Sequence, residues 1–423
     1  MNLKKLFCTT LLLSSAAQAG YFPTPLTMPD ASSRQIVFGS DVGYAGSLFY
    51  EEGSGSGGFD GTGQKKSLGA IYNGQESFLT MLRNPQGSVR TNVATLDPRL
   101  LTAPDFGGKR GAIDVSGHIF HRQITLGGAA NLRFINWLPG FVDLALYAPF
   151  VLKRFDAINI RQRQFERVDI IDFLLENITQ DPTKFLQSTG GLSAEPWQAG
   201  GLGDPTVILR WNLNQKFTES TISDVNAHLY FGFSIPASKQ KDEDKIFSLP
   251  LGNDGHWGIP FGGNFELAFI SPIKMGLALD LLWLVAESRP RRVKTDLSQT
   301  SLLLLNKTMV RRKPGLTWRA NWAIEGDHLW RGLSLRGGYE LTMHHNDVLE
   351  INTEGYSAAI ANSIGTVQSW YVTALTAAIR YDLSTEFAGA PMAPYVEGFL
   401  KFPISGQNVV NANSAGLQMV LRF

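Results

Sequence analysis

Residues 333–343 read Leu333-Ser334-Leu335-Arg336-Gly337-Gly338-Tyr339-Glu340-Leu341-Thr342-Met343. Apolar residues and Gly337 take the odd positions. Ser334, Arg336, Gly338, Glu340 and Thr342 take the even ones. Successive side chains of a strand point to opposite faces, so a strand separates the two sets and a helix mixes them. The same alternation recurs at Val207–Leu213, Ala227–Ile235, Trp318–Ile324 and, at greatest length, Tyr371–Leu383. Weaker runs are Leu126–Phe134, Val142–Leu152, Phe265–Phe269, Leu277–Val285 and Val396–Phe402, and the first strand is expected within Ile36–Tyr50. About ten alternating residues is the length a tilted transmembrane strand needs.

A large secreted sandwich or propeller shows the same period, so the connections decide. Trp137-Leu138-Pro139-Gly140 is a tight turn, followed by the long stretch Phe155–Asp204. Short Asn214–Asp224 precedes long Pro236–Gly262, and short Ser271–Lys274 precedes long Glu287–Leu316. Short Gly326–Arg331 precedes long His344–Thr366, and Ser384–Pro391 precedes Ser405–Ser414. Outer-membrane barrels have short periplasmic turns and long external loops, whereas loops this long are uncommon within a soluble domain. The expected fold is therefore all-β: a transmembrane antiparallel up-and-down β-barrel of about 12 strands with both termini periplasmic. Residues 51–111 are either one long loop or hold a hairpin near Leu68–Met81, which would bring the count to 14. Residues 51–111 and 155–204 read as long extracellular or plug-like loops, and the Gly/Ser-rich Gly53–Gly63 as a mobile part of the first.

Both chain ends agree. Lys4 and Lys5 precede the apolar run Leu6–Ala16, and Ala17-Gln18-Ala19 is a small-x-small site, so residues 1–19 read as a secretory signal peptide and 20–423 as the barrel. The only cysteine, Cys8, lies within that leader, so the exported chain relies on its sheet and not on disulfides. The last nine residues, Ala415-Gly416-Leu417-Gln418-Met419-Val420-Leu421-Arg422-Phe423, put Leu417, Met419, Leu421 and Phe423 on one face. This resembles the C-terminal signal by which the barrel-assembly machinery recognises bacterial outer-membrane proteins.

Composition narrows the function. The net charge of +1 gives no electrostatic footprint for nucleic acid. The mean hydropathy of −0.05 is compatible with a wall that is apolar on one face only. The polar faces carry Arg133, Asp143, Arg210, His228, Glu266, Asp280, Arg319, Glu325, Arg336, Glu340, Glu397, Lys401 and Arg422. A Lys or Arg facing lipid at mid-depth costs roughly 2–4 kcal/mol, so these residues are assigned to the lumen. Acidic and basic members nearly balance. Two readings stay open: a polar channel, or a salt-bridge network that fills a narrow barrel. Aromatics such as Trp137, Tyr147, Trp197, Trp211, Trp283, Trp322, Trp330 and Trp370 fall near strand ends, as interfacial girdles do, although some must face inward.

The loops hold further candidates. Phe165–Ile178 has the apolar face of a short helix. Arg289, Arg291, Arg292 and Lys294, then Arg311, Arg312 and Lys313, form basic clusters suited either to lipopolysaccharide phosphates or to a solvated surface. Gly201-Leu202-Gly203-Asp204 leads into a strand. It resembles the GLGD element of outer-membrane transporters of hydrophobic and aromatic compounds, the fatty-acid and phenol-degradation type, and Leu144–Val151 loosely resembles the same group. The resemblance implies a barrel transporter. The N-terminal hatch of the fatty-acid transporters is not recognisable, and no binding residue is carried over. His344-His345 stands at a strand end, but no serine has a nucleophile's spacing and adjacent strand residues diverge, so neither catalysis nor a metal site is read there. No cofactor is called for. The expected protein is a non-enzymatic outer-membrane channel or transporter for small solutes, in contact with outer-membrane lipid and lipopolysaccharide. The alternative is a structural or adhesive barrel, and an outer-membrane lipase is the remote third reading. Removal of Val420–Phe423 is expected to stop stable insertion; membrane fractionation that finds the truncated chain accumulating in the outer membrane would contradict this.

Overall fold

Strands buried in hydrocarbon must satisfy every backbone group within the sheet, which leaves closure as the one solution. The computed structural model describes residues 43–71, 76–96, 98–101, 112–132, 139–164, 181–217, 221–269, 272–385 and 394–423. Its barrel strands are β1 (Tyr44–Gly55), β2 (Ala112–Asn131), β3 (Phe141–Gln164), β4 (Thr206–Lys216), β5 (Ile222–Ser234) and β6 (Gly258–Phe269). They continue as β7 (Ile273–Leu284), β8 (Thr317–Trp330), β9 (Leu333–His344), β10 (Trp370–Asp382), β11 (Tyr395–Gln407) and β12 (Ser414–Arg422). Each pairs antiparallel with its sequence neighbours, and β12 returns to β1 from Ala45↔Arg422 to Gly53↔Ser414. The Phe423 amide donates to Tyr44 O at 2.8 Å, and the Gly43 and Tyr44 amides donate to Phe423 O, so the seam is bonded to the last residue.

The two faces separate as the alternation requires. On β7, Leu277, Leu279 and Trp283 are exposed on the outside, whereas Ala278, Asp280 and Leu282 are buried inside. Leu48, Leu126, Leu146, Leu229, Phe231, Ile324, Leu335, Leu375 and Leu417 continue the outer apolar band around the ring. Solvent-exposed apolar area of this extent needs a partner, and lipid supplies it. The 12 residues of β7 extend about 40 Å and, tilted as barrel strands are, cross about 30 Å of hydrocarbon. No helix among the described residues is long and apolar enough to cross a membrane.

Several expectations change. Among the described residues of Leu68–Met81 no barrel hairpin forms, and the barrel has 12 strands and not 14. That stretch instead holds a 3-10 turn Leu68–Ala70, the two-residue strand Glu76–Ser77 and the short helix Phe78–Met81, and it buries Leu68, Ile71 and Met81 in loop cores. Gly53–Gly63 is an ordered element: Gly57–Phe59 pairs with Lys65–Ser67 and with Val409–Asn411 of the last loop. Gly58 lies so close to that partner that an added Cβ would stand 2.3 Å from Val409 O, which explains the small residues better than mobility does. β2 and β3 run well past the bilayer, β3 to Gln164 and not Leu152, because each finds a further partner above the membrane. β6 likewise starts at Gly258, and β8 continues to Trp330. Tyr147, Trp197 and Trp370 are buried rather than in a girdle; Trp283, Trp322 and Trp330 are outward and exposed. The leader residues 1–19, Arg133, Trp137 and the Phe165–Ile178 segment lie outside the described residues.

Candidate functional site

The inner wall is built from direct cross-strand pairs. Asp143 on β3 stands opposite Arg210 on β4, with Nη2 2.8 Å from Oδ1 and both side chains buried. Asn212 Nδ2 donates to the second carboxylate oxygen at 2.6 Å. Asp280 on β7 stands opposite Arg319 on β8 at 2.7 Å, and Tyr230 OH donates to it at 2.6 Å. Glu325 on β8 accepts from Arg336 Nε at 2.8 Å and from Arg380. Asp327 extends this group to Arg380 at 2.9 Å and to Lys274 at 2.7 Å. Glu340 and Lys401 reach each other across β10, where the facing residues are only Ala374 and Thr376.

The remaining sequence candidates lie on the same wall. Glu397 is buried, in register between Arg380 and Gln418. His228 is buried opposite Asn212 and Asn264. Glu266 accepts weakly from Asn226 and lines a cavity of about 10 Å³ with Lys274, Glu325 and Arg336, space for about one water. Arg422 lies over the Tyr395 ring. Lys274, Asp327 and Arg380 were missed by sequence reading. Arg380 sat on the polar parity of the longest alternating run, which was the available signal; Asp327 fell where a turn was expected. At mid-height the inner side chains of successive strands, Thr125, Asp143, Arg210, Asp280, Glu340 and Gln418 among them, are shielded from solvent.

Above the wall the external loops fold together. Residues of loops 56–111, 165–205, 235–257 and 285–316 share one apolar core containing Val93, Leu186, Ile246 and Leu305. The fourth loop and 345–369 share another around Val310, Leu349 and Ile364. Glu287–Arg292, Lys307–Lys313 and Val348–Glu350 form a three-stranded sheet. Pro290 sits on one of its edges, and the Asn362 amide bonds both Leu349 N and O on the other, so neither edge invites a further strand.

The basic clusters are used inside this cap. Arg289, Arg291 and Lys294 are buried. Arg289 and Arg291 reach Asp254 at 2.6 and 2.9 Å, and Arg312 joins it to Asp347. Arg292 uses all five donors: Glu243 O, Leu304 O, Leu305 O, Gly190 O and the Asp244 carboxylate, which ties three loops together. Arg311 and Lys313 share Glu350 on the outer face. Burial alone would raise the Asp254 carboxyl, but Arg291, Arg289 and Arg312 overcome it and hold the group well below the usual carboxylate range.

The GLGD element gains a physical role here. Gly203, Asp204 and Pro205 interrupt the line between the short strand Trp197–Leu202 and β4. The buried Asp204 carboxylate accepts from Ser238 N at 2.9 Å and from Asn253 N, so it clamps both ends of the third loop. A Cβ on Gly252 would stand 2.3 Å from that carboxylate. His344 lies between Thr317 Oγ1 at 2.8 Å and Asp347 at 2.9 Å, its ring stacked on Trp370. That order superficially matches a nucleophile, base and acid, but Thr317 and Asp347 are both buried and the chain of bonds serves to join β8, β9 and the fifth loop. His345 points the other way and is exposed.

An apolar outer band, a closed 12-strand ring and a paired polar interior define an outer-membrane β-barrel. No protein-family model matches this chain, and no curated protein matches its sequence. Among solved structures it is similar to an outer-membrane channel from Pseudomonas putida F1, with a TM-score of 0.50 and 11% identity over 94% of this chain and 100% of that one. That likeness is one of fold. The Ralstonia pickettii toluene transporter TbuX (TM-score 0.35, 10% identity, 90% of this chain and 89% of that one) and a Pseudomonas aeruginosa FadL homologue (0.30, 10%, 90% and 90%) resemble it more loosely.

Replacing Asp280 by Ala leaves Arg319 buried without its carboxylate and is expected to cost about 3–5 kcal/mol in urea unfolding from lipid vesicles. The double change Asp280→Leu with Arg319→Met is expected to recover most of it; equal losses in the single and double variants would contradict the pairing.

Proposed function

We propose that this protein is an outer-membrane channel for passive uptake of small solutes, with the folded loops closing its external mouth. The observation that supports the reading is an inner wall charged on most of its strands and arranged in local pairs. A wall kept only for stability gains nothing from this, since buried ion pairs are often no better than well-packed apolar residues. Pairs such as Glu340–Lys401 can separate toward a passing polar solute. The proposed partners are the solute, the lipid and lipopolysaccharide around the outer band, and the assembly machinery acting on Leu417, Met419, Leu421 and Phe423.

A non-conducting barrel whose external loops bind a partner is the second reading, favoured by the shielded mid-section and by the extent of the folded cap. Planar-bilayer recording separates the two. The wild-type protein is expected to give small, intermittent conductance steps. Changing Glu340 and Lys401 together to Ser removes both charges and bulk and is expected to raise the step size about twofold or more. Silence from both proteins would favour the second reading.

A further inference from the structure

We propose that the cap is a proton-sensitive latch, in which neutral His256 holds the third loop to the fourth and its protonation releases them. The inference rests on the channel reading only for its consequence, since the latch itself is a property of the loops. His256 is buried between the two loops. Its Nδ1 lies 2.8 Å from Val285 O. A carbonyl only accepts, so Nδ1 carries the ring proton and Nε2 presents a lone pair. The Nε2 atom faces Arg291 Nη2 at 3.4 Å, and the guanidinium donates to it. A second proton has only Nε2 to occupy, which would turn this contact into one between two cationic donors.

The surroundings sharpen the effect. The charged groups around His256 are Arg312, Arg291 and Glu287 of the fourth loop, Glu287 lying 4.0 Å from Arg291 Nη2, and Asp254 of its own loop. Asp254 is already engaged by Arg289, Arg291 and Arg312, and Arg312 is shared with Asp347 of the fifth loop. An imidazolium would thus compete with Arg289, Arg291 and Arg312 for Asp254. Glu243 is a further carboxylate in the cluster, 3.4 and 3.5 Å from Arg289 and Arg291. The arginines outweigh the burial of Asp254 and Asp347, and Lys241 with Arg291 outweighs that of Glu243, so these carboxyls sit below their ordinary range and stay charged between pH 7.5 and 5.

Burial pushes the His256 imidazole down to about 4 from an ordinary 6.5, with Arg312 and Arg291 adding to the effect. The latched state therefore binds the proton less well than the open one. Latching is complete above pH 6.5 and weakens as pH falls toward 4. Allowing for solvent screening, the opening equilibrium should rise about 10- to 30-fold from pH 7.5 to 5.

The test uses the full chain in lipid nanodiscs. Hydrogen–deuterium exchange over residues 241–257, corrected for the intrinsic pH dependence of exchange, is expected to accelerate about 10- to 30-fold across that interval. In His256→Gln, whose neutral amide can still donate to Val285 O and accept from Arg291, the acceleration should fall below about threefold. Equal acceleration in both proteins would overturn the proposal. So would a wild-type protein without acceleration, a result that needs no variant. Conductance measured on the same samples keeps the two readings apart: exchange that responds to pH in a protein silent at both pH values removes the channel and leaves the latch.

Discussion

The pairing of β12 with β1 is the contact on which everything else depends. Hydrocarbon offers no partner to a free strand edge, so an open sheet of this kind has no place in a bilayer. Once Ala45 faces Arg422 and Gly53 faces Ser414, the ring is closed and the facing of every strand is set. A one-residue slip anywhere would turn Leu277 and Leu279 inward and Asp280 out to lipid. Apolar outer residues and charged inner ones therefore specify the same register twice.

The interior follows from the same constraint. A wall with so many ionisable groups is tolerable only if they meet each other, and most meet directly across a strand pair. Asp143 with Arg210 and Asp280 with Arg319 are register partners, so their geometry comes from the sheet and not from long flexible reach. The cap is assembled on different terms. There, apolar cores from several loops surround a cluster in which Asp254 and Asp347 neutralise arginines brought from distant segments. The barrel is thus held by pairing along every strand, while the cap combines short strand pairings between loops with apolar cores and buried ion pairs.

The period of two was legible because lipid on one side and paired charge on the other act on every strand alike. It revealed the fold class, but it passed over Lys274, Asp327 and Arg380, which join the ion pairs of the inner wall. It did not reveal what the loops do. Arg289, Arg291 and Arg292 look like a surface patch in sequence because Asp254 and Asp244, which neutralise them, lie about 40 residues away. A wall hairpin near Leu68–Met81 stayed open beside one long loop, and Leu68, Ile71 and Met81 instead fill the cap. Asp204 was visible as part of a recurring element, yet its partners are backbone amides of Ser238 and Asn253, which no side-chain pattern marks.

The central claim is that lipid and a paired interior take turns along each strand. Nitroxide labels placed singly at positions 277 to 282 of β7 in bilayers test it directly, through collision with oxygen, which concentrates in lipid, and with a water-soluble nickel chelate. The account predicts high oxygen collision at 277, 279 and 281, and low collision with either reagent at 278, 280 and 282. Uniform access to the nickel chelate, or oxygen access with the opposite phase, would contradict it.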